Sequence, residues 1–397
     1  MDPVLVLNSG SSSVKFAMYE ANTLLLHGEL DRIGNAPVFA GTDAEGSHLQ
    51  GPDLTRNPPR DPGAAALLLL PWLVKVAGRT PAVVGHRIVH GGAHRTAPER
   101  ATPALLEELA ALAPLAPLHQ PHNLAPVQAL LEQQPDLPQV LCFDTAFHRT
   151  QDPLAERFAL PAALHDAGIR RYGFHGLSYE SIAAALPAVA GRGLASGRVV
   201  AAHLGNGASL CAMRGGRSVA TTMGFTALDG LPMGTRCGAL DPGVVLYLIQ
   251  ERGMSPAEVE RLLYYESGLK GVSGVSSDVR DLLASNLPSA RLALDLYAHR
   301  IRRGIAEMAA TLQGLDAVVF TGGVGRHQAP VRAAVCEGLA WLALELDPDA
   351  NARHAARIST SSSKIAVFVV PDDESSIIAA AAYDLTCDTR GFGERRR

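Results

Sequence analysis

The stretch from Val4 to Met18 is written a second time from Val199 to Met213, at a constant offset of 195 positions that sets His203 on Asn8, Gly205 on Gly10 and Gly207 on Ser12. Each copy reads as strand, tight polar turn, strand. An internal repeat with a period of half the chain predicts two similar lobes rather than a solenoid. Glycine and serine in a turn expose backbone N–H groups and hydroxyls at close range, which suits a phosphate chain. Two such turns facing each other across a cleft would grip one nucleotide from both sides.

The 397 residues suit two domains, each with its own apolar interior, and 47% apolar against 19% charged content is that of a folded chain. A net charge of −4 leaves no basic footprint for nucleic acid. The five cysteines (Cys142, Cys211, Cys237, Cys336 and Cys387) are odd in number and form no C-x-x-C pair, so a reduced, cytoplasmic chain is expected. Val4 to Leu7 is too short an apolar run for a signal peptide. Ala64 to Val74 is interrupted by Pro71 and closed by Lys75, and reads as a buried helix, not a membrane span.

Strand-like runs at Val4–Leu7, Val14–Tyr19, Val83–Val89 and Val140–Phe143 mix with helical stretches, clearest at Thr102–Ala113, where Thr102 is the N-cap and Pro103 opens the helix. Gly41–Gly63 reads as a loop. The second half predicts strands at Val199–Leu204, Ala208–Met213, Val318–Thr321 and Ile365–Val370. It predicts helices at Pro256–Glu266, behind a capping box, and at about Ser289–Leu315. Pro187–Gly197 reads as a surface excursion, and Arg395–Arg397 as a frayed end. The class is α/β, with two related sheets.

Polar clusters fall at strand ends, where open α/β sheets bind ligands. In Gly85-His86-Arg87-Ile88-Val89-His90-Gly91-Gly92, the spacing of His86, His90 and His94 would hold zinc only on a helix, and the β-branched neighbours argue for strand. Arg87 instead suits a carboxylate or phosphate. Asp144, directly after a strand, is either a functional carboxylate or the N-cap of the next helix. His175 and Arg236, each flanked by glycines, complete three cations for one anionic reaction. Phe320-Thr321-Gly322-Gly323-Val324-Gly325 is a glycine-rich strand end without the full dinucleotide fingerprint, and there is no P-loop. Ser12-Ser13-Val14-Lys15 matches the S-x-x-K of serine acyl enzymes, but S-D-N and K-T-G are absent and Lys15 sits in a strand pattern.

These residues, in order, resemble the acetate kinases of the acetokinase family, within the actin, Hsp70 and sugar kinase fold. The resemblance rests on Asn8–Lys15, Gly85–Gly92, Phe143–His148, Tyr172–Gly176, His203–Gly207, Met233–Arg236, Ser276–Arg280 and Pro371–Glu374. It implies two ribonuclease H-like lobes, residues 1–147 with 376–397 and residues 148–375, and a nucleotide cleft between them. It also implies reversible transfer of the ATP γ-phosphoryl group to acetate, Mg²⁺ or Mn²⁺, a homodimer and a cytoplasmic site of action. By resemblance, Asn8 and Glu374 stand on the metal side, and Ser11, Ser13 and Lys15 in the first phosphate turn. His203, Leu204, Gly205, Asn206 and Gly207 form the second turn. Asp278, Val279 and Arg280 meet the nucleoside, and Gly323, Val324, Gly325, Arg326 and His327 form the adenine-side loop. Arg87 takes the carboxylate substrate, Asp144 is the catalytic aspartate, and His175 and Arg236 stabilise the transition state. Val89, Leu118, Phe174 and Ala227 form the acyl pocket.

Three departures from the family pattern stand out: Arg326-His327 in place of the usual Glu-Asn, Ser375 in place of a second glutamate, and Ala227 in place of the typical proline. The smaller Ala227 predicts appreciable use of propionate. The rival readings are a propionate or butyrate kinase of the same fold and an actin-like ATPase whose product is motion.

Overall fold

The computed structural model describes residues 2–21 and 23–391; the Arg395–Arg397 end lies outside them. The chain divides into two compact units, Met1–Arg149 with Asp373–Arg397, and Thr150–Asp372, so that Glu374 falls in the first.

The first unit is built on a seven-stranded mixed sheet: β1 (Val4–Ser9), β2 (Val14–Glu20), β3 (Thr23–Asp31), β4 (Val38–Asp43), β5 (Val83–Ile88), β6 (Glu99–Arg100) and β7 (Gln139–Phe143), in the order β4-β3-β2-β1-β5-β7-β6. β1, β5 and β7 run parallel, and β1 to β4 form an antiparallel meander. The apolar runs of β1 and β7 follow from burial on both faces, and β5, equally buried, carries His86 and Arg87 among its valines and isoleucine. Leu69 and Leu73 of the helix Pro62–Ala77 pack with Leu5, Leu7, Phe16 and Met18. The helix Glu374–Gly391 packs on β1, β5 and β7. Gly85 permits that approach, since a methyl there would stand 2.5 Å from Ile378 Cγ2. The expected Gly41–Gly63 loop is shorter at both ends. β4 continues to Asp43, and Asp61 caps the next helix by accepting from the Ala64 N–H at 2.8 Å.

The second unit has five strands: β8 (Arg198–Leu204), β9 (Ala208–Arg214), β10 (Arg217–Thr221), β11 (Ala317–Thr321) and β12 (Ala366–Val369), ordered β10-β9-β8-β11-β12. β8 to β10 form a meander, and β8, β11 and β12 are parallel, the arrangement of β1 to β3 with β5 and β7. The helix Pro288–Leu312 packs on the meander. Pro256–Tyr265 has both halves of its capping box. Pro187–Gly197 lies at the surface with no buried residue, but it is helical: the helix Gly176–Ala190 runs through Pro187 and ends at Gly191, and a short helix Arg192–Ala195 follows. A proline one turn from a helix end removes only one late hydrogen bond.

The repeat carries a one-residue slip invisible to an ungapped alignment. β1 and β2 pair Ser9 with Val14 around the turn Gly10–Ser13, whereas β8 and β9 pair Leu204 with Ala208 around the shorter turn Gly205–Gly207. Lys15 pairs with Asn8, and its counterpart opposite His203 is Ser209, not Leu210. A one-residue shift exchanges the two faces of a strand, so the correction changes which side chains lie beside the turn.

Candidate active site

In the first unit, Arg87 leaves β5 and donates from Nε to Asp144 Oδ1 at 3.1 Å and from Nη2 to Asp144 Oδ2 at 2.7 Å. Its Nη1 donates to Asn8 Oδ1 at 3.3 Å, and Glu374 Oε2 lies 3.5 Å from Nε. Asp144 is 1% exposed and spends both oxygens on this fork, so it orients Arg87 and does not cap a helix. Oxygens of Asn8, Asp144 and Glu374 thus meet at one guanidinium, and hard oxygen donors of this kind fit Mg²⁺. Asn123 braces the group: its Oδ1 accepts from the Val89 N–H at 2.9 Å, and its Nδ2 donates to the Ser9 carbonyl. Nothing in the sequence marked Asn123, because its partners are backbone atoms of two distant strands.

The first turn closes with Gly10 N–H donating to the Ser13 carbonyl at 2.8 Å. Ser11 and Lys15 beside it are exposed. Lys15 lies on a strand, which disfavours the serine acyl enzyme reading. His86 is buried in β5 and His94 is exposed, and among the described residues no three His, Cys, Asp or Glu side chains are placed to hold a metal ion. The zinc reading therefore falls. Burial pushes the His86 imidazole down to about 4, and burial with the nearby Arg149 does the same for His90.

In the second unit, Gly205 N–H donates to the Gly207 carbonyl at 2.9 Å, closing the shorter turn. His175 and Arg236 flank it. A methyl on Gly207 would stand 3.1 Å from His175 Nε2 and 3.4 Å from Arg236 Nη2. Arg236 donates from Nη1 to the Ala227 carbonyl at 2.7 Å, and among the described residues no carboxylate pairs with it. Burial lowers its pKa, yet a guanidinium starting that high stays charged. A half-buried guanidinium without a carboxylate partner has the charge and the free donors to receive an anion.

His175 sits in the left-handed region, φ +60°, at the start of Gly176–Ala190. Its ring stacks on His203 at 4.3 Å, and its Nδ1 is 2.8 Å from Ser209 Oγ. His203 Nδ1 meets Ser178 Oγ at 2.8 Å, with Asp372 Oδ2 3.7 Å away. Ser178, Tyr179, Ser209 and Asp372 were not singled out from sequence. Ser209 became visible only once the slip in the repeat was known.

A cavity of about 480 Å³ is lined by Gly205, Asn206, Asp278, Val279, Arg280, Gly323, Val324 and His327, with Ser277 and Gln328. Leu204 is fully buried in β8, and neither Gly325 nor Arg326 lines the cavity. The expected loop is a short helix, Gly322–His327, and the Gly325 and Arg326 carbonyls both accept from buried Arg332 at 2.8 Å. Gly322 is left-handed and passes so close to the Leu204 carbonyl that a methyl would stand 2.6 Å from it. Asp278 caps the helix Val279–Ala284 and pairs with Arg280, whose hydrogen bonds hold its carboxyl below the usual range. Of the expected acyl pocket, Val89 (buried) and Leu118 (half-buried) belong to the first unit, Phe174 (buried) and Ala227 (half-buried) to the second.

The sequence profile of the acetokinase family matches residues 3–380. Acetate kinases of Rhodopseudomonas palustris and Nitrobacter hamburgensis are 51% and 49% identical to this chain over 393 residues, covering 97% and 98% of it and 98% and 97% of themselves. The crystal structure of Porphyromonas gingivalis acetate kinase superposes with TM-score 0.85 at 34% identity, covering 97% of this chain and 100% of its own. That of a propionate kinase from Francisella tularensis gives 0.88 at 33% identity, with the same coverage.

Proposed function

The chain belongs to the acetokinase family, and from that premise we propose how its residues divide the work of moving a phosphoryl group between ATP and acetate. The activity is that of a phosphotransferase with a carboxyl acceptor, ATP + acetate giving ADP + acetyl phosphate, reversibly. The observation that carries the division is Arg236, half-buried and, among the described residues, without a carboxylate partner, beside His175 and the Gly205–Gly207 turn.

Acetate, with a pKa of roughly 4 to 5, is ionised at neutral pH and needs no base. The obstacle is the approach of two anions, so catalysis rests on orientation and on positive groups about the moving phosphoryl. Arg236 and His175 hold its equatorial oxygens. Arg87 binds the acetate carboxylate, with Asp144 keeping its fork aligned rather than taking a proton. Asn8 and Glu374 hold Mg²⁺, which when bound offsets phosphate charge. The 480 Å³ cavity takes the nucleoside, between the Asp278–Arg280 pair and the Gly322–His327 helix. Transfer is direct and in line, so a chiral phosphate experiment gives inversion at phosphorus, and retention refutes it.

The assay is hydroxylamine trapping with ATP, Mg²⁺ and a panel of two- to four-carbon acids. Acetohydroxamate is expected, and no hydroxamate from any acid would end the reading. We place the enzyme in the cytoplasm, in keeping with the free thiols of Cys211, Cys237 and Cys336 and with the lack, among the described residues, of a helix able to cross a membrane. We also propose a homodimer through Pro242–Gln250, an apolar helix with no buried residue and with Leu246 and Tyr247 more than half exposed. Light scattering tests it: Leu246→Asp is expected to halve the mass, and a monomeric parent protein rejects it.

A further inference from the structure

Helix geometry places His175 and Tyr179 one turn apart on the same face, the Tyr179 N–H donating to the His175 carbonyl at 3.1 Å. Both side chains reach the same atom of the neighbouring strand, Ser209 Oγ: the Tyr179 phenol bonds to it, and His175 Nδ1 lies 2.8 Å from it. Tyr179 and Ser209 are fully buried. Burial raises the Tyr179 phenol well above its ordinary range, so it keeps its proton, while the His203 backbone N–H donates to its oxygen.

A buried, protonated phenol beside Ser209 favours one direction for the chain of donors: the phenol O–H toward Ser209 Oγ and the Ser209 O–H toward His175 Nδ1, which leaves the imidazole hydrogen on Nε2. Nε2 is the atom that faces Gly207 and, across it, Arg236. We propose that Tyr179 and Ser209 are positioning residues that fix the Nε2–H tautomer of His175, so that it acts on the phosphoryl group as a neutral hydrogen-bond donor beside the Arg236 cation. This rests on the proposed role of the second turn in phosphoryl transfer. His175 holds a left-handed backbone, a conformation that is unfavourable for a non-glycine residue, which fits a ring placed for function. Without the relay, Nδ1 would be free to take the hydrogen, and a bare Nε2 lone pair would then repel the phosphoryl oxygens.

The test is ¹⁵N NMR of the full chain labelled at histidine, with His175 assigned by its loss in His175→Gln. The expected spectrum shows a protonated Nε2 and an unprotonated Nδ1, and an Nδ1–H tautomer in the parent protein overturns the proposal. Tyr179→Phe and Ser209→Ala are expected to mix the tautomers and to lower kcat about 10- to 100-fold, as removing outer partners of functional histidines does, with both KM values changed less than about threefold. Ser209→Thr, which keeps the hydroxyl, restores tautomer and rate. A pure Nε2–H signal and parental kcat in Tyr179→Phe would also overturn it. Because the tautomer is read without turnover, a parent protein that makes no acetyl phosphate would discard the function and leave the relay standing.

Discussion

The hairpin turn of the first unit and that of the second are each closed by a backbone hydrogen bond from their first glycine, Gly10 to Ser13 and Gly205 to Gly207, yet the charges beside them are arranged in opposite ways. Beside the first, Arg87 is already held by Asp144, Glu374 and Asn8. Beside the second, Arg236 is half-buried with a carbonyl as its partner and no carboxylate among the described residues. The first arrangement gathers oxygen donors, suits a metal ion, and requires Arg87 to share itself when an anion arrives. The second is preorganised for negative charge and loses nothing by receiving it. The duplication therefore supplied two copies of one scaffold, and the side chains beyond each turn gave them different electrical tasks.

The sharpest way to break this comparison is to remove the unpaired cation. Arg236→Ala is expected to lower kcat by about 1,000-fold or more, the scale of an arginine that stabilises a transferring phosphoryl group, while the nucleotide KM moves only a few-fold. Steady-state kinetics in both directions measures it, and an unchanged kcat would show the two turns to be electrically alike.

A second contrast concerns acid. His86 and His90, both in the first unit, have native values of about 4. Their unfolded value is roughly 6.5, so below that pH the unfolded chain binds protons that the native chain refuses. Stability is full above about pH 6.5 and falls as pH drops toward 4, by up to roughly 3 kcal/mol for each histidine. Trp72 packs in the first unit against Phe16 and Phe39, so in a Trp341→Phe background its fluorescence follows that unit. Urea midpoints that agree at pH 7.5 and pH 5 would contradict the expectation, and His86→Gln should flatten the pH dependence.

The glycines of the two turns give a finer comparison. Gly207→Ala drives a methyl to 3.1 Å from His175 Nε2, whereas the nearest atom to a methyl at Gly10 is Ser13 Oγ at 3.5 Å, an ordinary contact. The first substitution is expected to cost about tenfold in kcat by displacing a positioned donor, and the second less than about twofold. Equal effects would mean that the turns crowd their surroundings alike. A smaller change than at Gly207 is expected at Ala227→Pro, which should favour acetate over propionate a few-fold in kcat/KM, the lower end of what one methylene is worth in an apolar pocket, about 1 kcal/mol. A parent enzyme with propionate kcat/KM a thousandfold below acetate would remove the basis for that prediction.

Much of this was legible in sequence, and the reasons differ from residue to residue. The strands flanking both turns announced themselves because burial on two faces demands unbroken apolar runs. Thr102 and Ser255 marked helix starts because caps are local chemistry. Asp144 was ambiguous, since a carboxylate after a strand serves either a cap or a partner, and the partner, Arg87, is 57 positions away. Ser209 and Tyr179 escaped notice because their meaning depends on a strand register displaced by one residue at a turn. Arg332 looked like any other arginine until its guanidinium was seen to hold the Gly322–His327 helix from beneath.

The helix Glu374–Gly391 has a consequence for how the protein is made. It covers one face of a sheet whose strands all precede residues 150–372 in the chain, while the helix follows them, and Gly85 is kept bare to receive it. Residues 150–372 therefore emerge from the ribosome as a contiguous set, whereas the sheet of the first unit waits, greasy side uncovered, until the helix beyond them has been translated. In that interval its uncovered strands are the part of the nascent chain most in need of a chaperone.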